Sequence, residues 1–270
     1  MHKTIIMIST LLFALLTTTV YAKAGAFPGR DKYPDLPYME LSDLYGKLNK
    51  VVVVDARSML EFDTLHIKNA INIPVAGKTF EQQVMDLRKK TAKPIVFYCN
   101  GRTCMKSFHA VKKSIDVGVK DVYAYDAGIF EWTVAHPDLA VLLDQTPVDV
   151  NHLISKQKFH KRLLNPDTFS SKAMDMGKDS MVLDVRDKYQ RAGVGFYPGK
   201  ERWVSMDDKD KLQKFLLKAK QKNKTLFIYD EVGKQVRWLQ YALEKLGIKD
   251  YYFMDKGATA YYTSLASWKK

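Results

Sequence analysis

The chain's two thiols, Cys99 and Cys104, fall inside one short stretch, residues 95–106, which reads Ile-Val-Phe-Tyr-Cys-Asn-Gly-Arg-Thr-Cys-Met-Lys. A reactive sulfur is built when an apolar run delivers a cysteine directly into a tight polar loop. The run from Ile95 to Tyr98 reads as a buried strand, and residues 105–117 carry apolar side chains at helical spacing. Cys99 is therefore expected at a strand-to-helix turn. There the amides of residues 100–105 point inward and the helix start adds a partial positive charge, so a thiolate or a bound anion is favoured. Both effects lower a cysteine pKa. A disulfide closing so short a loop removes little unfolded-state entropy, which argues against a purely structural role for the pair, and the geometry need not permit the bond.

The elements that must position this loop occur twice. Val51-Val-Val-Val-Asp-Ala-Arg57 is echoed by Met181-Val-Leu-Asp-Val-Arg186, each a buried strand ending in an acidic and a basic side chain. Lys93-Pro-Ile-Val-Phe-Tyr98 matches Lys224-Thr-Leu-Phe-Ile-Tyr229, and Gly118-Val-Lys-Asp-Val-Tyr123 matches Gly247-Ile-Lys-Asp-Tyr-Tyr252. Asp55/Asp184, Gly118/Gly247 and Gly128/Gly257 are each 129 positions apart, but Tyr98/Tyr229 are 131 apart, so the second copy is two residues shorter between Tyr229 and Gly247 than the first between Tyr98 and Gly118. Where the first copy has Cys99 the second has Asp230. The strand and helix alternation predicts a parallel sheet with helices on both faces in each half, the loop lying beyond the carboxyl end of a strand. Residues 143–151, with Pro147, are the expected linker.

A length of 270 residues is comfortable for two domains, each with its own core. His2 and Lys3 precede an apolar stretch at residues 5–20, followed by small residues at Ala22 and Ala24. This pattern predicts a cleaved signal peptide at residues 1–22 and a periplasmic or secreted protein, with domains at 23–145 and 146–270; the other reading is an uncleaved membrane anchor, since the apolar stretch is only slightly short of a span. The formal charge is +13 and is unevenly spread. Residues 23–150 hold 17 Lys and Arg against 16 Asp and Glu, whereas 151–270 hold 25 against 14. Residues 209–224 read as a helix with Leu212, Phe215 and Leu216 inward and a solvated basic face; the other reading is a docking surface for an acidic protein or an anionic membrane. Nucleic acid is not expected as a partner of an exported chain without a binding motif. The six histidines show no metal spacing with one another or with the cysteines, so neither a metal nor a cofactor is expected.

With these residues in place, the sequence resembles the rhodanese family of sulfurtransferases in its tandem form. The resemblance rests on Asp55-Ala-Arg57 followed by Glu61-Phe62, on His66-Ile67 leading to Ala70-Ile-Asn-Ile-Pro74, on the Cys99 loop, and on Gly128-Ile-Phe-Glu-Trp132. It covers about residues 37–135 and, more weakly, 160–262. It departs at Asn69, where the family usually has glycine, and in the second copy, which keeps Asp184-Val-Arg186 and Pro198-Gly199 but has no cysteine. The resemblance implies an α/β fold of two tandem rhodanese-like domains, each a mainly parallel central sheet with helices on both faces, the first active and the second inactive.

In the family the loop cysteine is the nucleophile, so the resemblance assigns that role to Cys99. Its thiolate would attack the outer sulfur of thiosulfate or a polysulfide-like donor, leaving a persulfide for a thiol or cyanide acceptor. Asn100, Gly101, Arg102, Thr103, Cys104, Met105 and Lys106 would bind the small sulfur-containing anion, with amides on the sulfur and with Arg102 and Lys106 on the sulfonate end. Asp55, Arg57 and Glu61 read as an internally paired cluster beneath the loop, and His66 as a hydrogen-bonding scaffold residue. A phosphatase relative needs arginine six positions after the cysteine; Met105 stands there. Cys104 has two readings, a resolving thiol that attacks the modified Cys99, or a small residue donating its amide to the loop.

Two other function classes compete with sulfur transfer. One is a non-enzymatic sulfur or chalcogen carrier serving an exported redox system; the other is a thiol-disulfide protein using Cys99 and Cys104.

Overall fold

The computed structural model describes residues 27–267 apart from 194 and 207. The expected signal peptide at residues 1–22 lies outside the described residues. In the first half the strands are β1 (Val52–Asp55), β2 (Leu65–Ile67), β3 (Ile71–Asn72), β4 (Ile95–Tyr98), β5 (Val122–Tyr125) and β6 (Ala140–Leu142). Its helices are α1 (Pro28–Lys32), α2 (Leu41–Lys47), α3 (Met59–Thr64), α4 (Phe80–Lys90), α5 (Lys106–Asp116) and α6 (Gly128–Ala135). The second half has β7 (Leu163–Leu164), β8 (Ser180–Asp184), β9 (Glu201–Trp203), β10 (Thr225–Tyr229) and β11 (Tyr251–Met254). Around them lie α7 (Lys156–His160), α8 (Pro166–Asp175), α9 (Lys188–Arg191), α10 (Lys209–Gln221), α11 (Val236–Lys245) and α12 (Gly257–Ser267).

Each half is an α/β layer structure around its own parallel sheet, of order β3-β1-β4-β5 in the first and β7-β11-β10-β8-β9 in the second. The cysteine strand β4 lies between β1 and β5, so both its edges are paired. Its four residues are buried, which is why its sequence is a continuous apolar run rather than an alternating one. The amphipathic helix α5 turns Phe108, Ala110 and Val111 inward. Short β2 and β6 pair antiparallel, with Leu65 opposite Leu142, and keep residues 140–142 with the first half. The chain then passes through Leu143 and Asp144, both with positive φ, towards a 3-10 turn at Val150–His152.

One apolar cluster belongs to the first half and contains Val54, Phe80, Phe97 and Phe108; another, with Phe169, Tyr197, Phe227 and Tyr229, belongs to the second. The largest cluster runs through both halves, from Leu65 and Trp132 to Trp238 and Phe253. The halves meet along α11. Trp238 stacks on Phe130 with ring centroids 5.7 Å apart, Arg57 lies 5.1 Å from the Trp238 ring, and the Ile154 amide donates to the Tyr241 hydroxyl at 3.0 Å. Among the described residues no helix is long and apolar enough to cross a membrane.

Candidate active site

The loop between β4 and α5 holds both thiols, in opposite settings. Cys99 follows the last residue of β4 and is fully buried. Its thiol donates to the Cys104 carbonyl oxygen at 3.2 Å and faces the Ser107 hydroxyl at 3.6 Å. Burial, then hydrogen bonding with Cys104, push the Cys99 thiol well above its ordinary range, and the hydroxyl and amide of Ser107 offset this only in part. Cys104 is partly exposed. Hydrogen bonding with the Cys99 side chain pulls its thiol down to about 6 against the opposing effect of burial, aided by the amides of Lys106 and Asn100 and by the Lys106 charge.

The loop is braced from behind by α6. The Ile129 amide donates to the Cys99 carbonyl at 3.0 Å, and the Cys104 amide to the Gly101 carbonyl at 2.8 Å. Gly128 has a φ of +74°, and a β-carbon there would collide with the backbone of Gly101. Only glycine lets the start of α6 come this close.

Beneath the loop lies a polar floor. Arg57 and Asp55 are fully buried and paired at 2.5 Å; Arg57 also donates to the Leu65 carbonyl at 2.6 Å and to the Asn100 side-chain oxygen at 3.1 Å. The Asn100 side-chain amide donates to Glu61 at 2.9 Å, and Lys106 pairs with Glu61 at 3.0 Å. Burial alone would raise the Glu61 carboxyl, but Lys106, Arg57, Asn100 and Ser58 hold it down at about 2. Glu61 also completes a capping box with Ser58 at the start of α3. The His66 Nδ1–H donates to the Phe62 carbonyl, 2.7 Å away, and the imidazole stacks on the Phe62 ring.

Of the residues expected to bind substrate, Asn100, Gly101, Arg102, Thr103 and Cys104 line a cleft of about 670 Å³. Met105 and Lys106 lie outside that lining, as does Cys99. The two cations expected to grip a sulfonate already have carboxylate partners: Arg102 holds Glu131 through two hydrogen bonds of 2.5 and 2.7 Å, and Lys106 holds Glu61. The cleft's other wall was not legible in the loop motif. It comes from Phe130 and Val134 on α6, from Leu153, Ile154 and Lys156 after the linker, and from Arg237 on α11. Arg237 donates to the Ile154 carbonyl at 2.8 Å and lies 4.8 Å from the Phe130 ring. Among the described residues no three His, Cys, Asp or Glu side chains converge as a metal site.

The second half repeats the scaffold and fills the loop differently. Arg186 and Asp184 form the same buried pair, at 2.8 Å, and Gly257 repeats the positive φ of Gly128. Asp230, in the place of Cys99, is buried and turns its carboxylate into its own loop. It accepts from the amides of Val232 at 3.1 Å, Gln235 at 2.6 Å, Val236 at 3.1 Å and, closest of all, Gly233.

Residues 39–135 match the Rhodanese-like domain. The matched residues take in β1 to β5, end with α6, and contain both thiols. An HTH-type transcriptional regulator of Mycobacterium tuberculosis is 35% identical over 86 residues, covering 32% of this chain and 36% of the regulator. The chain thus spans about a third of the length of that curated relative. Among solved structures, the thiosulfate sulfurtransferase of Pseudomonas aeruginosa is similar over 85% of this chain and 42% of its own, with 16% identity and a TM-score of 0.41. A Bacillus halodurans protein is similar over 48% of this chain and 92% of its own, with 21% identity and a TM-score of 0.36.

Proposed function

We propose that the protein is a sulfurtransferase that carries a sulfane sulfur as a cysteine persulfide on the loop between β4 and α5. The observation that carries this reading is a loop with two cysteines, inside residues that match the Rhodanese-like domain, whose residues 100–104 line a cleft of about 670 Å³. A persulfide ends in an anionic sulfur, and the amides that favour the thiolate favour that sulfur as well. Thiosulfate or a polysulfide-like donor supplies the sulfur, and a thiol or cyanide removes it. The cleft has room for donors larger than thiosulfate, with an apolar face at Phe130, Leu153 and Ile154 and positive charge at Lys156 and Arg237. The second half takes no sulfur, because Asp230 offers a carboxylate that cannot carry a persulfide. Its basic surface is the side on which an acidic acceptor protein or an anionic membrane would dock.

Incubation with thiosulfate followed by intact-mass measurement tests the reading. The full chain gains the mass of one sulfur atom, and cyanide removes it with release of thiocyanate. Repeated turnover marks an enzyme, while a single loading marks a carrier. No mass gain in a folded protein with both thiols reduced overturns the proposal.

A further inference from the structure

Much of the positive charge of the second half converges on one recess. A pocket of about 350 Å³ is lined by six cations, Lys178, Lys200, Arg202, Lys218, Lys222 and Lys224, with Met181 and Phe215 as apolar wall and no carboxylate in the lining. It sits at the amino ends of the parallel strands β8, β9 and β10, so it lies at the opposite end of the sheet from the Asp230 loop. We propose that this pocket is a binding site for a compact polyanion that carries several adjacent phosphate groups. Such a site does not depend on sulfur transfer by the first half.

A solvated helix face does not account for the arrangement. The dipole of α10 favours cations near its carboxyl end, which explains Lys218 and Lys222. It does not explain Lys178, Lys200 and Arg202, which come from the 3-10 turn at Gly177–Asp179 and from the chain around the start of β9. Exposed lysines elsewhere find carboxylates: Lys112 and Lys113 of α5 pair with Asp116 and Glu81. In the pocket, Lys200 and Lys224 donate instead to the carbonyls of Met174 and Lys178, and Arg202 donates to those of Gly199 and Glu201. Among the described residues no carboxylate is paired with any of the six. The Glu201 carboxylate is engaged elsewhere, by Arg191 and the Tyr229 hydroxyl. Burial lowers the pKa of the Lys200 ammonium, opposed by the charge of Asp175, which is outside the lining. Cations gathered without counter-charge repel one another, and an anion held among them relieves that repulsion.

Charge density selects the ligand. A carboxylate brings a single negative charge, whereas a phosphate monoester brings about −1.5 to −2 at neutral pH. The lysine ammonium is a compact point charge suited to phosphate oxygens. A cluster of phosphates therefore balances the six cations within this recess, while an acidic peptide spreads its single charges along an extended chain. The volume falls in the range of small-molecule sites, about 300–1,000 Å³, which is more than a lone phosphate ion needs.

Calorimetric titration of the full chain with tripolyphosphate tests the site, with inorganic phosphate as the single-group control. One equivalent is expected to bind, about tenfold or more tighter than inorganic phosphate. Lys218 and Lys222 are exposed, so Lys218→Gln combined with Lys222→Gln leaves the fold intact. That pair is expected to weaken binding about tenfold or more. Lys188→Gln combined with Lys234→Gln removes the same charge at the carboxyl ends of the strands and leaves binding within about twofold. Equal weakening by the two pairs, or no binding by the folded chain, overturns the assignment. Vesicles containing phosphatidylglycerol distinguish a lipid source of the phosphate. Displacement of the protein from them by tripolyphosphate supports a phosphate pocket that a lipid headgroup also enters. Vesicle binding that is lost in the Lys218→Gln, Lys222→Gln pair, without any binding of tripolyphosphate, overturns the pocket in favour of a membrane surface.

Discussion

Glu61 joins the loop to the scaffold below it, receiving Lys106 and Asn100 from the loop and Ser58 from its own helix start. Its carboxyl is held near 2, against an ordinary value of 4.5. The depressed pKa means that the folded state binds fewer protons than the unfolded one, so the stabilisation is fully present above pH 4.5 and fades as the pH falls towards 2. Glu61→Gln is expected to cost about 3 kcal/mol at neutral pH and to flatten the acid limb of the stability curve, as measured by urea unfolding at several pH values. An unchanged acid limb would show that Glu61 is not the coupling group. At this scale the pairing of Asp55 with Arg57 was foreseeable from their residue types at a strand end, whereas Glu61, expected in the same cluster, pairs with Lys106 instead. The exposure of Cys104 was not. Which sulfur faces the cleft depends on the backbone path of a five-residue span, and neither periodicity nor composition encodes that path.

The strand, loop and helix form one unit used twice, with different contents. The bounds of β4 and the start of α5 were legible because a strand covered on both faces is apolar without interruption and an amphipathic helix repeats with its own period. The buried state of α11 was less so: Val236, Trp238, Leu239, Gln240, Tyr241 and Leu243 are all buried, more than one sheet-facing stripe would need, because this helix also packs against the first half. In the second loop, Asp230→Ala strands four amides away from their acceptor. The expected loss is about 2–4 kcal/mol in chemical denaturation, with sulfur loading of the first half retained. A loss of loading with no loss of stability would contradict the view of Asp230 as a prop of its own loop.

The molecule as a whole is held by an apolar cluster that ignores the boundary between its halves. Trp238 is 4% exposed and stacks on Phe130 across that boundary. Trp238→Ala is therefore expected to cost about 3–5 kcal/mol and to split a single calorimetric unfolding transition into two, as each sheet retains the cluster that is its own. A single transition at an unchanged temperature would mean that the halves fold independently of this contact. The duplication of the sheet was visible in the repeated motifs, whereas the merging of the cores was not, since an apolar residue in sequence does not say which half it will touch.

The cleft has a genealogical consequence. Its loop cysteine, Cys104, belongs to the first half, but part of its wall, at Leu153, Ile154, Lys156 and Arg237, is drawn from sequence beyond the linker. Under the sulfurtransferase proposed above, a second half without a thiol at Asp230 still shapes the cleft, so drift in those wall residues would change which donors are admitted while the cysteine loop is inherited intact.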